Sequence, residues 1–293
     1  MASSTFFSAA PEWRWLIIWY FFIGGLAGGC YFLAVLMDLF GRPNDRRLAR
    51  LGYLVAFPAV AVCGLLLTVD LYRPERFWHM LVQSGTWRPM FKLYSPMSVG
   101  AWGLLVFGGL SLLSFLAALG GDRGRLVWLR PPAPLGILVA VLGGVAGAFL
   151  AGYTGVLLAV TNRPIWSDTN LLGLVFLVSA ASTSAALLLL LGAGSTPLGA
   201  RRALARFDSW VLVVELVALV GLVVSLGSVA AVWLSAWGAL FFVGVVLVGI
   251  LGPLVLYWRG RGAPAAHPVL ASVLVLIGGF VLRVVIVLSS EGV

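Results

Sequence analysis

The chain has 293 residues, 61% of them hydrophobic and 10% charged. That balance excludes an ordinary soluble globular protein and predicts an all-α integral membrane protein. A net charge of +9 does not signal nucleic acid, because the arginines fall in short connections between apolar runs, where topology alone places basic residues.

Eight apolar runs are long enough for a hydrocarbon core of about 30 Å, which takes roughly 20 helical residues. They cover 15–40, 51–71, 97–119, 135–160, 170–193, 208–226, 235–258 and 268–288. Backbone groups in lipid must be satisfied internally, so each run reads as a transmembrane helix. The whole chain, 1–293, reads as one polytopic domain, compatible with two four-helix bundles. No basic stretch precedes the first run, which is too long for a cleaved signal, so the N-terminus is expected to be retained.

Alternate connections divide the basic residues unequally. Twelve Lys and Arg lie in 41–50, 120–134, 194–207 and 259–267, against six on the other side. The first side is predicted to be cytoplasmic, with both termini outside.

The first run opens with Trp15, Trp19 and Tyr20, carries the glycines of 24–29 and ends at Asp38. The glycines suit close helix packing in lipid. The second run ends at Asp70, and an ionisable group at that position is a functional-site hypothesis by default. A polar, aromatic hairpin follows over 72–96, with Arg73, Arg76, His79, Arg88 and Lys92. Those cations sit on the outer side against the topological bias, which predicts a docking surface for a partner. His79 reads either as a group that titrates near neutral pH and serves a quinone oxygen, or as an exposed loop histidine. It cannot share one haem iron with His267, predicted on the opposite side of the membrane. Cys30 and Cys63 lie in separate runs, so no zinc or iron–sulfur site is built from them alone.

In the fourth run Tyr153 and Thr154 stand just inside the outer interface. Gly152 and Gly155 flank them and are expected to let a flat ligand approach the backbone. Trp13, Trp15, Trp166 and Trp237 fit an interfacial aromatic belt. The fifth run carries Ser179, Ser182 and Thr183, and the sixth places Glu215 about 10 Å above its cytoplasmic start. With no cation at its level, Glu215 reads either as a proton-relay member, together with Asp38 and Thr183, or as a neutral carboxyl bonded to a neighbour. Arg283, in the eighth run, needs a buried partner, and Asp70 is the carboxylate predicted at its level.

Three stretches taken together resemble the NrfD-like family, the membrane subunits of polysulfide reductase and related molybdoenzyme complexes. They are Trp19-Tyr20-Phe21-Phe22-Ile23-Gly24-Gly25 with the glycines beyond, Asp70-Leu71-Tyr72-Arg73-Pro74-Glu75-Arg76-Phe77-Trp78 with Ser95-Pro96-Met97-Ser98, and Tyr153-Thr154-Gly155 with Pro164-Ile165-Trp166. The resemblance implies a subunit of a prokaryotic cytoplasmic membrane with a quinone site, menaquinone or ubiquinone, at the outer helix ends. It also implies no haem, cluster or metal in this chain, a ferredoxin-like iron–sulfur subunit docked outside, and usually a molybdopterin catalytic subunit. Tyr153 matches the tyrosine that hydrogen-bonds the quinone in relatives; Trp15 and Tyr20 occupy the level of the first-helix contacts.

The expected activity is quinol oxidation or quinone reduction with electrons exchanged to the extrinsic subunit. Asp70 and His79 are the proton acceptors, Tyr153 and Thr154 orient the head group, and Arg283 holds Asp70 ionised. Two alternatives remain open: an ion-coupled secondary transporter using Asp38, Glu215 and Arg283, and a passive anchor without a quinone site.

Overall fold

The computed structural model describes residues 15–71, 73–120, 124, 126–259 and 266–290. The N-terminal segment, expected to be retained, Trp13 and the side chain of His267 lie outside the described residues. Eight helices are long and apolar enough to cross a membrane. They are α1 (Trp15–Phe40), α2 (Arg46–Val69), α3 (Pro96–Leu119), α4 (Pro134–Ala159), α5 (Leu172–Leu191), α6 (Leu198–Leu226), α7 (Ala236–Arg259) and α8 (Ala266–Ser289). The protein is therefore an integral membrane protein of helices only, and no β-strand occurs among the described residues.

The sequence boundaries hold within a few residues except in α6, which begins at Leu198 rather than at 208. Pro197 sits just before the helix and Arg201, Arg202 and Arg206 lie in its first turns. The apolar pattern alone misses this stretch because its polar residues are helical. Asp208 is thereby moved from a helix start to about 15 Å inside the helix.

Helices α1 to α4 form one ring of neighbours, each packed on the next and α4 on α1, and α5 to α8 form a second. The rings join where α5 packs against α1 and α4, with α8 also reaching α1. α1 is the most enclosed span, and its glycines are the reason. At Gly28 an added Cβ would strike the carbonyl of Gly147 in α4, so only hydrogen on both sides permits the approach.

The two ends of the bundle are tied differently. At the basic end, Arg50 donates to the Ala118 carbonyl at 2.9 Å and Arg47 to that of Ser195 at 2.9 Å, capping α3 and the α5–α6 turn. At the hairpin end, Trp166 is fully buried and donates from Nε1 to the Ile286 carbonyl at 2.8 Å. Trp166 is thus a core anchor rather than a belt residue; the expectation fails because its loop folds inward, with Ile165 at φ 70°. Trp233 likewise bonds Ser289 at 3.2 Å and stacks on Phe241 at 4.6 Å.

The middle of α7, Leu240–Leu251, is wound as a π-helix. There α7 meets α8 with Gly249 against Gly278, and a Cβ on either would overlap the other's backbone. Gly278→Ala is expected to lower stability by about 1–3 kcal/mol through overpacking. Gly108→Ala, which meets open space, is expected to raise it by up to about 1 kcal/mol through helix propensity. Thermal unfolding of both variants in detergent checks the pair.

Candidate functional site

The polar side chains expected to meet in one crevice lie on two flanks of α1. On the α2–α4 flank, Tyr20 and Tyr153 are 3% and 7% exposed and close enough to interact, with Cys63 beside Tyr20. The Tyr153 hydroxyl donates to the carbonyl of Pro96 at the start of α3. Its ring stacks on Phe149 at 5.4 Å, and Gly100 is a glycine because a Cβ there would enter the phenol. The Tyr20 hydroxyl has no hydrogen-bond partner among the described residues. Thr154 bonds back to the Ala151 carbonyl at 3.0 Å. Gly152 and Gly155 do not open a path for a flat ligand: both face α5, Gly155 against the backbone of Leu172 and Gly173. Trp15 begins α1 at 54% exposure and does not wall the pair.

On the other flank stands Arg283, 1% exposed. Its Nη1 donates to Ser179 Oγ at 2.8 Å and to the Gly279 carbonyl at 2.6 Å. The guanidinium lies between two rings, 5.7 Å from Phe22 and 5.3 Å from Phe176, an arrangement that stabilises a desolvated cation. Its Nε is buried without a partner. Glu215 faces it across the Ser179 hydroxyl. The carboxyl that faces Arg283 is therefore Glu215 and not Asp70. The earlier start of α6 explains the correction: Glu215 sits about 25 Å along that helix, high enough to meet Arg283.

Below this group, toward the basic end, Asp208 is fully buried and accepts from Ser182 Oγ at 2.7 Å and from the Tyr257 hydroxyl at 2.8 Å. Asp208 and Glu215, seven residues apart, share one face of α6. Thr183 lies on the same side of α5, but its hydroxyl bonds back to Ser179 and Ala180 carbonyls at 2.8 and 3.2 Å. Neither Asp208 nor Tyr257 stands out as a site residue in the sequence. The available signal was the i, i+3, i+4 spacing of Ser179, Ser182 and Thr183, which predicts a polar stripe on α5 that needs partners.

Asp38 belongs to a separate cluster at the basic end of α1, beside Tyr53, Arg130 and Arg46. Tyr31 adjoins it, bonded to Ser114 at 2.6 Å and to the Val139 carbonyl at 3.2 Å. Asp38 and Glu215 thus stand in different rings and share no hydrogen-bonded path among the described residues.

Asp70 caps α2 and is exposed; partial burial nonetheless pushes its carboxyl above the usual range. The segment after it is a 3-10 turn, Pro74–Met80, followed by a short antiparallel hairpin with Gln83 donating to Arg88 at 2.9 Å and Met90 to Leu81 at 2.7 Å. Trp78 stacks on Trp87 at 5.5 Å and meets the His79 ring edge-on at 4.0 Å. Arg73, Arg76, Arg88 and Lys92 are all exposed, and so are Phe77, Phe91 and Tyr94. No group of three His, Cys, Asp or Glu among the described residues is placed to hold a metal.

The family model described as "Polysulphide reductase, NrfD" matches residues 4–291. The chain belongs to the NrfD family. It is 28% identical to a polysulfide reductase component of Wolinella succinogenes, over 95% of this chain and 94% of that one. Protein NrfD of Escherichia coli is 27% identical over 99% and 98% of the two chains. A selenate reductase component of Mesobacillus selenatarsenatis is 26% identical over 61% of this chain, and the match spans 47% of that relative.

In this chain the two candidate partners of Arg283 are separable by a double-mutant cycle. Glu215→Gln with Arg283→Gln is expected to depart from additivity by about 0.5–3 kcal/mol, the range for residues in one network. Asp70→Asn with Arg283→Gln is expected to be additive within about 0.5 kcal/mol. Thermal unfolding in detergent reads both cycles.

Proposed function

We propose that the chain is the quinone-reactive membrane subunit of a reductase complex, exchanging electrons between the quinone pool and an extrinsic ferredoxin-like iron–sulfur subunit. A molybdopterin catalytic subunit completes the proposed assembly. The names of its relatives support a reductase complex, and one observation on this chain carries the quinone reading. The Tyr20 side chain is 3% exposed, its hydroxyl has no hydrogen-bond partner among the described residues, and it lies beside the Tyr153 phenol at the edge of an apolar core cluster. A free phenol donor in an apolar niche suits a quinone carbonyl.

When bound, a quinol supplies two electrons and two protons. Tyr20 donates to the head-group oxygen and Tyr153, fixed by Pro96, holds the opposite wall. Thr154 and Trp15 contribute position only. Asp70, about 10 Å along α2 from Cys63, takes up a proton with His79 as the second acceptor at the hairpin surface. Arg283 lies across α1 from the phenols, so its proposed role moves from the quinone to the proton file. There it holds Glu215, with Ser179 and Thr183 on the adjoining face of α5; Asp38 serves the separate cluster. The cations Arg73, Arg76, Arg88 and Lys92, interleaved with exposed aromatics, form the docking surface for the iron–sulfur subunit. The hairpin end is the outer end in this reading, with both termini outside.

An ion-coupled transporter is the second reading. It gains from the meeting of Arg283, Glu215 and Asp208 inside the second ring, where a coupling ion or proton has ligands. Purification separates the two: co-isolated iron–sulfur protein and quinone-dependent turnover support the first, and a lone chain that moves a solute supports the second.

Tyr20→Phe is expected to cut quinol turnover of the purified complex about tenfold, the value of one lost hydrogen bond of about 1.4 kcal/mol. Unchanged turnover removes Tyr20 from the site. The pH profile tests Asp70: a proton acceptor must be ionised, and its carboxyl is raised by burial, so turnover climbs with pH through a value above the ordinary carboxylate range. Asp70→Asn is expected to abolish that acid limb with most of the rate, and a retained limb assigns it to another group.

A further inference from the structure

Halfway along the bundle, α1, α4, α5 and α6 leave a crevice of about 400 Å³ that belongs to neither polar cluster. Small residues, Gly29, Ala148, Ala151 and Ala180, make its floor, and Phe207 and Trp210 of α6 form one wall. Its lining is apolar throughout, and it opens on the outside of the bundle, where Trp210 is 68% exposed and Val214 50%. At ~30 Å³ for a group the size of a water molecule, it takes about a dozen such groups in single file, most of one acyl chain.

The ridge of α6 that carries Trp210 continues toward the basic end through Arg206 and Arg202, at successive four-residue steps. They stand about 6 and 12 Å from Trp210 along the helix. Both are exposed, and neither guanidinium group has a hydrogen bond or ion pair among the described residues; the one side-chain bond to Arg206 is the Ser209 hydroxyl donating to its backbone carbonyl at 2.7 Å. Their neighbour behaves differently: Arg201 donates to the Ala193 carbonyl at 2.8 Å, as Arg47 and Arg50 do to other helix ends. Two uncommitted guanidinium groups therefore lead directly to an apolar slot at the lipid-facing surface. The nearest carboxyl in sequence, Asp208, is buried and taken by Ser182 and Tyr257.

We propose that Arg202, Arg206 and this crevice hold one anionic phospholipid of the leaflet at the basic end. The phosphate rests on the guanidinium groups and one acyl chain runs past Trp210 onto Gly29 and Ala180. Long basic side chains reach the interface while their stems stay in lipid, and basic pockets between helices recognise anionic head groups. The adjacent charges favour this occupant over a quinone's isoprenoid tail, which brings no anion. A single turn of a partner's transmembrane helix, about 10–12 Å across and about 5.4 Å in pitch, already occupies more than the 400 Å³ of the crevice.

The test uses the full chain, delipidated in detergent, with phosphatidylglycerol and phosphatidylcholine of identical acyl chains followed by native mass spectrometry. One phosphatidylglycerol per chain is expected to be retained, with about tenfold or greater preference, given about 1 kcal/mol for each basic residue at the surface. The double variant Arg202→Gln/Arg206→Gln is expected to lose that preference, and Ala181→Phe, which fills the crevice, to lose the retained lipid altogether. If the filled variant does not fold, the arginine variant decides alone, because its side chains are exposed. Equal retention of the two lipids by the unaltered chain overturns the proposal, as does an unchanged preference in the arginine variant. Displacement of phosphatidylglycerol by a long-chain isoprenoid quinone reassigns the slot to that tail and overturns it as well.

Discussion

Gly28 of α1 lies against the backbone of Gly147 in α4, and its neighbour Gly29 lies against Ser184 and Ala180 of α5. Lipid tails offer no hydrophobic gain from burying one apolar helix on another, so α1 is held by close backbone approach and dispersion. That approach makes α1 the shared wall of both helix rings. It also decides which polar side chains meet, because a residue on one flank of α1 cannot reach a residue on the other. Tyr20 turns toward α2 and α4; Phe22 and Gly25, on the opposite flank, border the Arg283 guanidinium.

The consequence is a division of labour between the rings. The first contains the two phenols, beneath the segment that carries Asp70, His79 and the basic hairpin. The second contains Arg283, Glu215 and Asp208, met by serine or tyrosine hydroxyls or by aromatic faces, with the Arg283 Nε left without a partner. A cation so deep in a bundle is tolerated only with such partners. The hydroxyl of Ser179 has a particular place here, since it receives the arginine and faces the glutamate. A polar file of this kind costs packing energy that an apolar core would save.

Membership of the NrfD family accords with this layout but does not produce it. The niche at Tyr20 stands on its own chemistry. The free hydroxyl, the fixed phenol beside it and the apolar surround are what recommend it. The lipid slot on α6 belongs to neither ring's polar interior and depends on two arginines that cap nothing.

Much of this was legible in the residues. Composition and run length determined a membrane protein of eight helices, because a hydrocarbon core admits few other structures for such a chain. The glycines of α1 signalled close packing, and the charged segment after Asp70 announced an exposed hairpin. Depth and rotation were not legible. Hydropathy places the start of α6 at 208, where the unbroken apolar run sets in, whereas the helix begins ten residues earlier under Arg201 and Arg202, and that shift lifts Glu215 to Arg283. Likewise Trp166 carries no mark in sequence that separates an interfacial indole from one folded inward onto Ile286. Local pattern sets which residues are helical and apolar; which side chains touch depends on the rotational phase and vertical offset of whole helices, and those follow only from the packing of backbone on backbone.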